Sequence, residues 1–267
     1  MYSIRMFADE ENTPEFQSIV KLVESNPAIG IDVADYGAAK NGIKCNFSQA
    51  FVRWCAGLNS NQKTMHFNAC ACPIEARAEI FQRDIEFAVA ANIRRAVLHL
   101  TEDYPTILPD ISAVHTELSK FEPNGIVPYI ENLAFDFDYF SDLIELAKKT
   151  GCPFGICMDV GHANVWGNAT ENQWLNLLSE VQDFNIPIVF HVHANDGVKD
   201  RHWALWENEG LHASGFEHGL SGFAKRIHTL FPESPMIFEN SIKLAQKSLD
   251  FMSNTMPLVR TRIRPVA

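Results

Sequence analysis

The sequence predicts a single (β/α)8 barrel spanning residues 1–267. Three observations carry that prediction. Eight short apolar runs alternate with helical stretches from one end of the chain to the other. No Pro/Gly-rich linker, low-complexity tract or like-charge block divides it. Most of the strand-type runs end in or beside a carboxylate or an imidazole. A chain of 267 residues can bury a large core as one domain. Strands buried on both faces of a parallel sheet read as near-continuous apolar runs, as these do.

The first strand is expected over 3–7, followed by Thr13-Pro14, an N-cap with proline at the first helical position, and a helix to about Ser25. A second strand over 28–33 leads to a helix over 48–58. The third, 63–67, carries His66 and precedes a helix opened by Pro73, where Ile74, Ala78, Phe81, Ile85 and Ala88 recur at spacings of three and four. The fourth, 95–100, carries His99 and precedes a helix over 111–121. The fifth, 126–131, ends at Glu131 in PYIEN, and Phe140, Leu143, Ile144 and Ala147 mark the next helix.

The sixth strand, 154–159, ends at Asp159 with His162 one turn on, in GICMDVGHAN. Trp174, Leu177, Leu178 and Val181 mark the helix after it. The seventh, 188–193, runs into HVHAND, with His191, His193 and Asp196, and the following loop holds Asp200-Arg201-His202. A helix follows over 220–231. The eighth, 236–239, ends at Glu239 in MIFEN before a helix over 242–252. An open doubly wound sheet uses the same alternation, but no Gly-x-Gly-x-x-Gly follows the first strand, so its dinucleotide-binding version lacks its main support.

Composition bounds the function. Hydrophobic residues are 46% and charged residues 21% of the chain, ordinary for a soluble globular protein. No apolar run approaches the roughly 20 residues of a membrane span. The start, MYSIRMFADE, lacks the basic region, apolar stretch and cleavage site of a signal peptide, so a cytoplasmic location is expected. In a reducing compartment Cys45, Cys55, Cys70, Cys72, Cys152 and Cys157 read as thiols, and Cys70-Ala-Cys72 is not a CxxC pair. The formal charge, 22 − 33 = −11, argues against nonspecific nucleic-acid binding, although a local basic groove can sit on an acidic protein. Oligomeric state is not encoded in any pattern of the sequence.

In a parallel barrel every strand C-terminus opens on one face, where active sites are built. Apolar strands that end in Asp, Glu or His therefore gather those groups around one axis. Carboxylates crowded this way repel one another unless a cation sits among them. Imidazole with carboxylate suits zinc, manganese, iron or cobalt better than calcium. Taken singly, His66 or His99 is more often a hydrogen-bonded core histidine, Glu131 and Glu239 could be helix caps, and Asp159 with His162 a local turn pair. Their joint placement at the same strand ends argues for a metal site. Of the HVH pair, His193 lies nearer the open face, and His191 reads as packing or support. Trp203, Trp206 and Phe216 are expected to line or cover the pocket, while His212 and His218 read as solvated loop residues.

These motifs resemble the xylose-isomerase-like TIM-barrel superfamily over residues 3–252. The resemblance rests on ENLA at Glu131, DVGHAN at Asp159, HANDG at His193, Asp200-x-His202 and FEN at Glu239. In isomerase and epimerase members it implies one manganese-type ion held by Glu131, Asp159, His193 and Glu239, with His162 on the substrate. Glu131 and Glu239 would then exchange protons next to a carbonyl of a sugar or polyol. A likeness to endonuclease IV implies up to three zinc ions held by His66, His99, Glu131, Asp159, His162, His193, Asp200, His202 and Glu239, and phosphodiester hydrolysis. The chain departs from that group at Phe67-Asn68-Ala69-Cys70, which is not the small-Pro-aromatic turn used at lesions. It also departs from the epimerases by lacking an arginine soon after His193 at the usual position. A noncatalytic sugar-binding barrel is a third reading. One to three ions, zinc or manganese, are therefore expected.

Overall fold

The computed structural model describes residues 1–35, 47–68, 77–100, 110–133, 136–151, 154–208 and 215–255. Within them eight parallel strands close into a barrel in chain order. The strands are β1 (Tyr2–Phe7), β2 (Ile29–Ala34), β3 (Lys63–His66), β4 (Arg95–Leu98), β5 (Val127–Glu131), β6 (Gly155–Asp159), β7 (Ile188–Val192) and β8 (Met236–Phe238). Tyr2 is in register with Ile29 on one side and Met236 on the other, which closes the ring. All eight predicted strands are present, and their observed bounds place His99, His193 and Glu239 just past their strands rather than inside them.

Around the barrel lie α1 (Pro14–Ser25), α2 (Gln49–Gly57), α3 (Ala78–Ala90), α4 (Ile111–Leu118), α5 (Phe137–Thr150), the short α6 (Val160–Val165), α7 (Glu171–Asp183), α8 (Gly219–Leu230) and α9 (Ala245–Thr255). Local chemistry sets their starts. The Thr13 hydroxyl accepts from the Phe16 amide at 3.2 Å ahead of Pro14, Ser48 does the same for Phe51, and Asp136 for Tyr139. The helix expected over 111–121 is α-helical only to Leu118 and continues as a 3-10 turn, Ser119–Asn124, because Pro123 has no amide hydrogen to donate. Helix 242–252 likewise begins as a 3-10 turn, Ile242–Leu244. Pro73, Ile74, Cys45, Cys70, Cys72, Cys152, His212 and the loop 101–109 lie outside the described residues. Cys55 and Cys157 are buried free thiols.

Packing explains why the chain closes. The outward faces of the strands and the inward stripes of the helices form one core, in which Trp174 is fully buried and meets Phe137 at 5.0 Å and Phe140 at 5.6 Å, both edge-on. Buried Lys63 joins two helix ends, its Nζ donating to the Cys55 carbonyl at 2.7 Å and the Ala91 carbonyl at 2.9 Å. Inside the barrel, Val97, Tyr129, Cys157, Val189 and Ile237 form a separate buried cluster, an apolar plug. Side chains alternate along a strand, so the residue two further on shares the inward face. Those residues are His99, Glu131, Asp159, His191 and Glu239. The polar layer therefore sits directly on the plug, at the strand C-termini. Among the described residues no helix is long and apolar enough to cross a membrane.

Candidate metal centre

Glu131, buried at the end of β5, is the hub of this layer. Its Oε2 lies 3.1 Å from His66 Nε2 and 3.2 Å from His99 Nε2. Its Oε1 lies 3.2 Å from His162 Nδ1 and 3.1 Å from His191 Nδ1. Burial works to raise the Glu131 carboxyl, but His191, His162 and His66 outweigh it and hold the group well below the usual carboxylate range.

Asp159 ends β6 and caps α6: its Oδ1 accepts from the His162 amide at 2.7 Å and stands 3.0 Å from His193 Nε2. The local turn pair expected of Asp159 and His162 is thus real, and it also aims both side chains at the centre. His193 reaches the same point because residue 161 is glycine. A Cβ there would fall 2.0 Å from the His193 ring.

Asp200 and His202 return over the barrel mouth by a folded loop. Ala194 and Trp203 pair antiparallel, with N–H to O distances of 2.7 and 2.8 Å, which closes the segment between them. Asn240 Nδ2 donates to the carbonyls of His202 and Trp203 and ties the loop to the end of β8. Asp200 Oδ2 then lies 3.3 Å from His162 Nε2 and 2.9 Å from His202 Nε2. The His193 and His202 rings stack at 4.1 Å. Burial pushes the Asp200 carboxyl up, yet His162 and His202 outweigh it and hold the group well below its ordinary value. Against burial, Asp200 and Glu239 push His202 up to about 9.

The residues fit a divalent ion. Among the described residues, four sets of ligand atoms each lie within 4.8 Å of one another: His162, His193, Asp200 and His202; His66, Glu131, His191 and Glu239; Glu131, Asp159 and His162; and Asp159, His193 and Glu239. Asp159 Oδ2, His162 Nδ1, His193 Nε2 and Asp200 Oδ1 are buried and make no hydrogen bond among the described residues. His66 Nδ1 faces the Phe67 carbonyl at 3.1 Å and His202 Nδ1 the Glu239 carbonyl at 3.2 Å. A carbonyl only accepts, so each Nδ1 carries a proton, and each Nε2 is the nitrogen turned toward a carboxylate. A ring N–H on a backbone carbonyl is the usual support of a metal-bound histidine, and Nε2 is the atom that would bind the ion once deprotonated.

All nine sequence-predicted residues, His66, His99, Glu131, Asp159, His162, His193, Asp200, His202 and Glu239, therefore converge on one region. His191, expected as packing or support, stands with its Nδ1 2.9 Å from Glu239 Oε1 as well as beside Glu131. Two expectations need correction. Phe216 does not cover the pocket but packs in the core against Phe223 at 4.9 Å. Trp206 turns toward Phe251, with ring centroids 6.2 Å apart. His218 lies away from the centre, its Nδ1 3.5 Å from Glu171. Sequence reading also missed Arg5, which reaches Glu239 and His191 from β1. Its one signal was a charged residue inside an apolar strand.

A cavity of about 390 Å³ is lined by Asn164, Trp166, Asn168, Thr170, Gln173 and Gly197 and by none of the centre's residues; the Trp166 ring stands 5.0 Å from that of His162. A second of about 330 Å³, lined in part by Arg95, Tyr129 and Glu233, lies at the opposite end of the barrel.

The family model described as "Xylose isomerase-like TIM barrel" matches residues 36–255. No curated protein sequence matches the chain. Among solved structures, the TTHB071 protein from Thermus thermophilus, soaked with ZnCl2, is 19% identical with a TM-score of 0.65, covering 97% of this chain and 99% of that one. A D-tagatose 3-epimerase-like protein is 18% identical with a TM-score of 0.61, covering 94% of this chain and 96% of its own. A xylose isomerase domain protein from Planctomyces limnophilus is 14% identical with a TM-score of 0.59, covering 95% of each. At these identities the structural likenesses speak for the fold. The family model matches most of the chain, and its barrel is the one observed: the protein belongs to the xylose isomerase-like TIM-barrel family.

Proposed function

We propose that the protein is a metal-dependent enzyme of the isomerase or epimerase type, acting on a sugar or polyol by proton transfer next to a carbonyl. The carrying observation is that buried Glu131, Asp159, His193 and Glu239, from four strand ends, fall into overlapping ligand sets: Glu131 with Asp159 and His162, Glu131 with Glu239, His66 and His191, and Asp159 with His193 and Glu239. A zinc or manganese ion held by them supplies Lewis-acid polarisation of carbonyl and hydroxyl oxygens. Glu131 and Glu239 reach the centre from β5 and β8 and are both held ionised, the state from which a carboxylate accepts a proton. His162, between Glu131 and Asp200, is the residue placed to contact the substrate. The test is turnover of a ketose and polyol panel by protein of known metal content. Glu131→Gln and Glu239→Gln are each expected to abolish turnover with the barrel still folded by circular dichroism. Undiminished turnover in both variants rejects the proposal.

A second reading, a multinuclear zinc phosphodiesterase, is favoured by one observation: His162, His193, Asp200 and His202 form a further ligand set that shares His162 and His193 with the sets around Glu131 and Asp159. A content of about three zinc ions per chain, with cleavage of a phosphodiester lost on chelation, would select it.

A further inference from the structure

The cavity lined by Asn164, Trp166, Asn168, Thr170, Gln173 and Gly197 lies between the end of α6, the start of α7 and the turn that follows β7. Its volume of about 390 Å³ is that of a small-molecule site, and the described residues that line it carry no formal charge. Hydrogen bonds hold its walls. Asn195, buried after β7, donates from Nδ2 to the Gly161 carbonyl at 2.8 Å. Its Oδ1 accepts from the Gly197 amide at 3.0 Å and from Asn164 Nδ2 at 2.7 Å. The backbone partners fix which end of the Asn195 amide is which, so Asn164 must turn its Nδ2 toward it. The buried Oδ1 of Asn164 is left without a donor among the described residues.

Gln173 is oriented in the same way. Its Oε1 accepts from the Thr170 amide at 3.0 Å and the Thr170 hydroxyl at 2.9 Å in the capping box of α7, which leaves Nε2 as a donor. Exposed Asn168, held at φ 47°, offers both a donor and an acceptor. Trp166 adds a flat apolar surface. An anion is disfavoured here, although a helix begins beside the cavity. The Thr170, Glu171 and Gln173 amides already donate, to Gln173 Oε1, the Gly215 carbonyl and the Thr170 hydroxyl. Glu171 itself supplies the negative charge that the start of a helix favours. A cation would meet no carboxylate among the side chains of the lining.

We propose that this cavity binds an uncharged polyhydroxylated ligand, a sugar ring or a polyol, through Gln173 Nε2, the Asn168 amide and the face of Trp166. Hydroxyls both donate and accept, which matches side-chain amides, and the apolar face of a sugar ring suits an indole. The site is separate from the metal centre, none of whose residues line it, although the Trp166 ring stands 5.0 Å from that of His162. It goes beyond the reaction proposed above and does not depend on it.

The test is titration calorimetry of the full chain, metal-free and metal-loaded, with glucose, sorbitol and maltose against gluconate, glucosamine and glucose 6-phosphate. At least one neutral probe should bind with a Kd of about 10 mM or tighter, with or without metal, and about tenfold or more tightly than the charged ones. Trp166→Leu should weaken that binding about tenfold. Gln173→Glu keeps the capping-box acceptor but removes the donor, and should weaken it about threefold or more. Asn168→Gly removes an amide at a left-handed position that glycine adopts freely, so this variant should fold and still lose about threefold. Four results overturn the proposal: no binding of any neutral probe, equal or tighter binding of the charged ones, binding that requires metal, or wild-type affinity in the variants. A chain that takes up no metal yet binds a neutral probe rejects the functional reading and upholds this one.

Discussion

Asn132 and Asp159 grip each other reciprocally: Asn132 Nδ2 donates to the Asp159 carbonyl at 3.0 Å, and the Asp159 amide donates to Asn132 Oδ1 at 2.6 Å. This pair joins the end of β5 to the end of β6 and sets Glu131, next in sequence to Asn132, against Asp159. Asn132→Ala leaves the buried Asp159 amide without its acceptor, at a cost of about 1–3 kcal/mol. The variant should unfold at lower denaturant and release metal to a competing chelator more readily than wild type. Unchanged stability and affinity would mean the clasp is incidental.

Gly161 controls the approach of His193. A methyl group there would fall 2.0 Å from the imidazole, so Gly161→Ala must displace the ring or α6. The expected result is a loss of metal affinity of about tenfold or more, measured by calorimetry against wild type. Far-ultraviolet circular dichroism should be little altered, because the barrel strands do not depend on that contact.

Metal-free protein should lose stability as the pH rises through His202. This histidine is raised to about 9 from 6.5, so the stabilisation it draws from Asp200 is fully present below about 6.5 and disappears as pH passes 9. Asp200 has the opposite sign: its depressed carboxyl contributes above its ordinary value of 3.8 and loses that contribution as pH falls below it. Thermal melts of chelated protein from pH 6 to 10 should therefore slope downward. Metal-loaded protein should resist this decline, because coordination requires deprotonated ligands and strengthens with pH.

Removing the ion should both stop turnover and lower the melting temperature. A ligand that binds only the folded state at a hundredfold over its Kd contributes about 2.7 kcal/mol. Readdition of zinc, manganese or cobalt should restore stability, and the ion that restores turnover identifies the working metal.

Trp174 tests the fold apart from the site. It is fully buried in α7 against Phe137 and Phe140 of α5. Trp174→Ala should cost about 3–5 kcal/mol. Its denaturation midpoint should drop with metal stoichiometry unchanged in the folded fraction.

Much of this molecule can be read without coordinates. Alternating strand and helix patterns are local properties of composition and period, and the capped start at Thr13-Pro14 and the apolar stripe Phe140, Leu143, Ile144 and Ala147 appear where expected. The centre was legible because parallel topology puts all strand C-termini on one face, so a residue's place at the end of its run foretells its neighbourhood. Thus Glu131, Asp159 and Glu239 could be named from order alone. The aromatic residues of 203–216 could not be placed, since a loop has no period to say which face of Trp206 or Phe216 meets the core.

The sequence by itself determined the number and order of the elements, the strand ends that carry ligand-type side chains, and the acidic, apolar-stranded character of the chain. Only the closed barrel decided which inward groups touch. Period-two alternation sets the face of a residue, but contacts across the axis depend on the stagger of strands far apart in sequence. That stagger brings Arg5 of β1 against His191 of β7, and the Ala194–Trp203 bridge folds Asp200 and His202 back over His193. A charge inside an apolar strand and a histidine two residues early were visible as letters. Their meeting belongs to the tertiary structure.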